Sequence, residues 1–252
     1  MVELDELCRY LDELLNVSAF SDYAPNGLQV EGRPEVETIT VGVTASLPLI
    51  EAAIAMKADA ILVHHGYFWK GESPCITGIK KRRLEKLLGN GISLLAYHLP
   101  LDAHPRYGNN IMLAERLGVE VDGALAQGIA DGLVLRGHLL EPLTPEAFTT
   151  LIETRLGRRP LHLAGGSSSI QQVAWCSGAA QGYFEAVAMQ GVDAYVTGEV
   201  SEQSTHVANE TGTHFFAAGH HATERYGVQA LARHLQERFP LACSYVEITN
   251  PV

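Results

Sequence analysis

The chain has 252 residues, 46% of them apolar, which is enough to bury packed cores and makes disorder the wrong default. Its formal net charge of −11, from 29 acidic and 18 basic side chains, argues against an outer surface that wraps nucleic acid, because phosphate binding needs clustered Lys and Arg. No apolar segment approaches membrane-spanning length and no basic stretch leads into an apolar run at the start, so a cytoplasmic location is expected.

The spacing of Leu4, Leu7, Cys8, Leu11, Leu14 and Leu15 predicts an amphipathic helix from Val2 to Asn16. After the loop beginning at Asp22, the β-branched run from Val36 to Val43 reads as a strand. A helix from Leu47 to Met56 follows, then the short apolar run from Ala60 that ends in His64, His65 and Gly66, as expected of a buried strand delivering its last side chains to a sheet edge. Lys80, Lys81, Arg82, Arg83 and Lys86 fall on the outer face of the next helix and read as a solvated charge run. A third strand, Ile92 to Tyr97, leads to His98 and Asp102, with Pro100 expected to break any helix between them.

The second half repeats this order. Pro145 to Leu156 is another opening amphipathic helix, and the run from Val173 to Gly178 answers the strand at Ile39. Glu185-Ala-Val-Ala-Met189 matches Glu51-Ala-Ala-Ile-Ala-Met56 in composition, the run from Val192 to Gly198 matches that from Ala58 to His64, and the run from Gly212 to Ala218 answers Gly91 to Tyr97. The expected architecture is α/β: two similar α/β units from an internal duplication, 1–128 and 129–252, joined near Gly128 to Gly137, with a metal site in the crevice between them. Strand ends are where open α/β sheets form ligand crevices. The four cysteines, Cys8, Cys75, Cys176 and Cys243, have no close pair and read as reduced thiols.

Adjacent residues in a regular strand point to opposite faces, so His64 and His65 at a strand end are placed to straddle two ions rather than share one. Asp102 offers a hard oxygen at the next strand end. His220 and Glu224 stand at i and i+4, on one face of a helix start, and a carboxylate such as Glu224 can bridge two ions. Mixed imidazole and carboxylate ligation suits Zn, Mn, Fe or Ni better than Mg or Ca. His98 reads as a direct ligand, a general base or a group orienting Asp102. Glu199 aligns with His65 in the repeat and either faces the crevice or caps the following helix. His104, His138, His162, His206, His214 and His234 read as hydrogen-bonded core or surface residues. Gly165 and the serines after it lack the lysine of a phosphate-binding loop and read as a plain loop.

The motifs Tyr23-Ala-Pro-Asn-Gly-Leu-Gln-Val-Glu-Gly32, Val63-His-His-Gly66, Tyr97-His-Leu-Pro-Leu-Asp102, Tyr195-Val-Thr-Gly-Glu199 and Gly219-His-His-Ala-Thr-Glu-Arg225 resemble the GTP cyclohydrolase 1 type 2 homologue family, also called NIF-three-like, in its short bacterial YbgI form. The resemblance implies two divalent metal ions per subunit, held by His64, His65, Asp102, His220 and Glu224, with Glu224 touching both and His220 preferred to His221. It also implies a toroidal homohexamer whose sites face an internal cavity.

The expected function is a metal-dependent hydrolase acting on a nucleotide or related small molecule, with His98 or Glu199 moving protons. The alternative is a ring-shaped metal-binding scaffold or accessory factor in DNA repair or transcription. A nucleotide sensor without turnover is a third reading.

Overall fold

The computed structural model describes residues 1–125 and 132–252, which divide into two compact units. The first is Met1–Gly108 with Gly227–Thr249, and the second is Asn109–Tyr226 with Asn250–Val252. The 128/129 division, and part of the join expected near Gly128 to Gly137, fall in residues 126–131, outside the described residues; beyond them Leu135–Leu143 is a strand. Side-chain packing explains why the units differ from a simple halving. Leu113, Ala114 and Leu117 of the helix Asn109–Leu117 join the core around Phe148 and Trp175, so this segment belongs to the second unit. Val228, Leu231 and Leu235 pack with Leu7 and Leu11, so the later part of the helix His220–Arg238 belongs to the first.

In the first unit a five-stranded sheet runs in the order Ala242–Tyr245, Thr38–Thr44, Ala60–His65, Ser93–Ala96, Gly27–Val30. All neighbouring pairs are parallel except the last. Its faces follow the two-residue period of a strand. Ala60 and Leu62 face one cluster with Leu7 and Leu11, whereas Ile61 and Val63 face another with Leu49, Ile50, Leu84 and Leu87. Burial on both faces is why Ala60 to Val63 is an uninterrupted apolar run. The opening helix is shorter than its leucine spacing suggests, Leu4–Leu14, because β-branched Val2 pairs with Val36 in a two-stranded ribbon. In the charge run on the helix Gly78–Asn90, Lys81 and Arg82 are exposed while Lys80, Arg83 and Lys86 are partly buried, and acids balance it, with Lys80 on Glu72, Lys81 on Glu85 and Lys86 on Glu51.

In the second unit a six-stranded sheet runs Val119–Ala124, Leu135–Leu143, Ile170–Trp175, Ala194–Thr197, His214–Ala217, Leu161–Leu163. The helix Pro145–Leu156, capped by Thr144 and closed by left-handed Gly157, covers one face through Phe148, Ile152 and Leu156. Phe184 and Val187 cover the other with Tyr195 and Phe215. Gly165 leads into a strand rather than a helix, so the phosphate-loop context is absent there.

The two sheets solve the same problem with the same atoms. Both contain a run of three parallel strands and a preceding strand paired antiparallel to the third, and in the first sheet Ala242–Tyr245 adds a fourth parallel strand. Asp59 Oδ2 accepts from the N–H groups of Glu37 and Thr38, and Asp193 Oδ2 accepts from those of Gln171 and Gln172. A Cβ at Gly32 would stand 2.4 Å from Gly91 O, and one at Gly165 would stand 2.3 Å from Gly212 O, so both crossings admit only glycine. Among the described residues no helix is long and apolar enough to cross a membrane.

Candidate metal centre

In the first unit, His64 and His65 end the strand Ala60–His65, as the sequence indicates. His64 is buried, and its Nδ1–H donates to the Tyr97 carbonyl at 2.9 Å, which fixes the tautomer and leaves the Nε2 lone pair for another partner. That nitrogen lies 3.6 Å from Asp102 Oδ1. Two donors each about 2.0–2.2 Å from a shared ion stand roughly 3 to 3.5 Å apart, so this spacing is close to that of a ligand pair. His65 Nδ1 is 3.2 Å from Thr44 Oγ1. The ligand atoms of His64, His65 and His98 all lie within 4.8 Å of one another, a group that can hold a metal ion.

Asp102 lies on a short helix, Leu99–Ala103, and this corrects the expectation that Pro100 breaks helix between His98 and Asp102. Proline in the first turn has no intrahelical N–H bond to lose, so Pro100 starts the helix instead of ending it. His98 is the residue before that helix, and its carbonyl accepts from Asp102 N–H at 3.1 Å. The His98 ring does not turn to Asp102. Its Nδ1–H donates to Asp22 Oδ1 at 2.7 Å, leaving Nε2 as the basic nitrogen.

Asp22 is therefore a partner of His98 that sequence reasoning missed. It also accepts from Asn26 Nδ2 and Leu99 N–H, while Asn26 Oδ1 accepts from His98 N–H. Burial raises the Asp22 pKa, but the hydrogen bonds from His98 and Asn26, the His98 charge and the Leu99 N–H outweigh burial and hold this carboxyl well below its usual range. The available signal was the Asp22–Asn26 spacing in a proline-containing loop, a pattern that turns adopt for local reasons alone.

In the second unit, His220 opens the helix His220–Arg238 and its Nε2 stands 3.1 Å from Glu224 Oε2. Its Nδ1–H donates to Glu199 Oε1 at 2.7 Å. Glu199 is not the cap of the following helix, Ser204–Thr211, which Gln203 precedes; it orients His220. Burial lowers the His220 pKa, yet the hydrogen bonds and charges of Glu224 and then Glu199 raise it to about 9. The His221 N–H bonds the Val252 carbonyl.

Three glycines make this corner possible. Gly178, at φ +66°, packs so closely that a Cβ there would lie 2.1 Å from Glu224 Oε1 and 3.3 Å from His220 Nε2. A Cβ at Gly198 would lie 2.6 Å from His220 Cα, and Gly219 has φ +100°. Thr223 Oγ1 accepts from Gly178 N–H and donates back into the helix's first turn, locking the strand end to the helix. The residues fit a metal ion: the donors mix imidazole and carboxylate, the His64 and His220 rings are held in orientation through Nδ1, and a cradle beside Glu224 would be filled by a single methyl group.

The remaining histidines have local partners. His138 meets Asp122, His162 meets His214, His234 lies between Tyr10 and Tyr107, His206 meets Glu202, and His104 accepts from Tyr107 N–H.

The chain as a whole is similar to known proteins. The family model described as Duf34/NIF3 (NGG1p interacting factor 3) matches residues 2–251. A Pseudomonas aeruginosa protein named GTP cyclohydrolase 1 type 2 homolog is 54% identical over 250 residues, covering 99% of each chain. Its Escherichia coli K12 counterpart of the same name is 51% identical over 247 residues, covering 98% of each. The solved structure of a protein called ybgI, described as of unknown function, superposes with a TM-score of 0.96 at 50% identity over the whole of both chains. One from Thermus thermophilus gives 0.89 at 36%, again over the whole of both.

Proposed function

The chain belongs to the Duf34/NIF3 family, and from that premise we propose that it is a metal-dependent hydrolase acting on a nucleotide or a related small molecule. We assign His64, His65, Asp102, His220 and Glu224 as the ligands of two divalent ions, Zn, Mn, Fe or Ni, with Glu224 touching both. The observation that carries this reading is a repeated geometry. In each unit a histidine gives its Nδ1–H to a fixed acceptor, the Tyr97 carbonyl or Glu199, and turns Nε2 toward a carboxylate, Asp102 at 3.6 Å or Glu224 at 3.1 Å. Partly exposed His138 also stands between two carboxylates, Asp122 and Glu120, but those pairs lie at the surface, whereas His64, Asp102 and Glu224 are buried, and buried donors held by a fixed partner are what a metal site uses. The matching sheets and the paired roles of Asp59 and Asp193 support descent of the two units from one duplicated α/β unit, which accounts for the ligands arising in both.

Divalent ions held there would supply Lewis acidity and make water a nucleophile at neutral pH. The chain's own residues do the rest. Asp22 holds His98 by Nδ1, so Nε2 is the atom that takes or gives a proton. Glu199 keeps the His220 ring in place, with Gln181 Nε2 3.4 Å from its other oxygen. The relatives' shared name favours a purine nucleotide such as GTP as the substrate class. The ligands are expected to work within a toroidal homohexamer in the cytoplasm.

The test is a screen of metal-loaded protein against nucleotides and related phosphates, with Glu224→Gln as control. Turnover that Glu224→Gln abolishes supports the hydrolase. A fully metallated protein that turns over nothing, as Glu224→Gln does, sinks it and leaves the ring-shaped scaffold.

A further inference from the structure

Two aromatic side chains flank the three-histidine cluster of the first unit, and neither takes part in its hydrogen bonds. Trp69 meets His98 edge to face, with centroids 5.0 Å apart at 84°, and lies 6.0 Å from His65. Tyr23 meets His98 at 6.4 Å and 61°. Tyr23 is 60% exposed, although apolar burial favours tucking such a ring away. Trp69 is half-buried.

Their loops are built to hold them there. Lys70 N–H donates to the Tyr23 carbonyl at 2.6 Å and ties the two loops together. Trp69 N–H donates to Glu72 Oε2 and its ring Nε1–H to the Gly66 carbonyl, so the indole is anchored at the strand end that carries His65. Just before it, Phe68 adopts φ +65°, a left-handed conformation that costs a non-glycine residue about 1–2 kcal/mol. Strain kept beside a site is characteristic of a loop selected for where it points.

We propose that Trp69 and Tyr23 form a stacking subsite that receives the planar nitrogen heterocycle of the substrate, a purine-type ring, and presents its edge to His98 Nε2. The inference deepens the small-molecule reading above and rests on it. A flat ring with ring nitrogens suits both parts of this place, since indole and phenol offer π faces and the histidine a hydrogen-bonding nitrogen. The chain's acidic balance disfavours the alternative of a nucleic-acid polymer stacking there.

The chain has two tryptophans, and Trp175 is fully buried with its Nε1–H on the Asn110 carbonyl, so emission that responds to ligand reports Trp69. The experiment titrates metal-loaded protein with GTP, guanosine and tripolyphosphate, following emission and, separately, calorimetric affinity. GTP and guanosine are expected to quench saturably and tripolyphosphate not to. Trp69→Leu should weaken GTP about tenfold, as loss of one base stack does, with Trp69→Phe restoring most of it and metal content unchanged. Absence of quenching by both purine probes, or equal losses for GTP and tripolyphosphate in Trp69→Leu, overturns the subsite. Stacking without turnover would retain the subsite and remove the hydrolase. Turnover of a non-aromatic substrate, with no purine binding, would do the reverse.

Discussion

Replacing Gly178 by Ala adds one methyl group, and its effect can be worked out from the corner it enters. The backbone there has φ +66°, so alanine first pays about 1–2 kcal/mol for a left-handed conformation. The new Cβ would sit 2.1 Å from Glu224 Oε1, whose residue is only 3% exposed and has little room to retreat. Restoring ordinary contact near 3.5 Å moves that oxygen by more than about 1 Å, several times the ~0.2 Å tolerance of a ligand bond. The fold should survive, because the Thr223 and Gly198 bonds to Gly178 use main-chain atoms that alanine keeps. The expected result is a melting temperature lower by a few degrees, at about 2–4 °C per kcal/mol for a chain this size, with metal affinity weakened at least tenfold. Metal would be quantified by plasma mass spectrometry after dialysis against buffered Zn or Mn, and folding by circular dichroism. Gly182→Ala is the control, since a Cβ there meets nothing within 4 Å. Wild-type metal affinity in a folded Gly178→Ala protein would refute the cradle.

Further outcomes follow from the same contacts. Asp22 has a depressed pKa, so its stabilisation is fully present above the unfolded value near 3.8 and is lost as pH falls through the lower folded value. Urea unfolding should show Asp22→Ala less stable at neutral pH by about 2 kcal/mol, with the gap shrinking as pH falls through that window; parallel profiles would contradict the assignment. Glu199→Gln should weaken metal binding by about 10–100-fold without abolishing it, measured by competition with a fluorescent chelator, and an unchanged affinity would remove its role at His220. Burial, helped for Cys8 by nearby acids, lifts the thiols of Cys8 and Cys243 to about 11, and Cys176 is buried, whereas Cys75 is exposed. A thiol reagent at pH 8 should therefore label Cys75 fast and the other three slowly, and a faster burst of more than one thiol would be inconsistent.

Strands buried on both faces were readable because their residues alternate between two clusters and must all be apolar, as Ala60 to Val63 shows. The histidines at their ends stood out against that background. The shared strand arrangement was visible as parallel runs around Asp59 and Asp193, whose carboxylates perform one local task twice. The missed features depend on proximity between distant segments. Asp22 and His98 are far apart in sequence, and nothing in either segment announces a 2.7 Å hydrogen bond. Gly178 and Gly198 look like ordinary turn glycines until the helix at His220 is packed on them. Pro100 was misread because its effect depends on where in a helix it falls, and helix starts are set by tertiary contacts such as Asp22 on Leu99 N–H. The division of the chain at Gly227 is set by which core Val228 and Leu231 enter, a matter of packing rather than periodicity.

The proposed ligand set is His64, His65, Asp102, His220 and Glu224, holding two divalent ions. Metal content of protein purified without added metal, compared across wild type, His64→Ala and Glu224→Gln, tests it most directly. Two divalent ions per chain in wild type, with depletion in both variants and loss at both positions in Glu224→Gln, is the predicted result. Full retention of both ions by Glu224→Gln would contradict it.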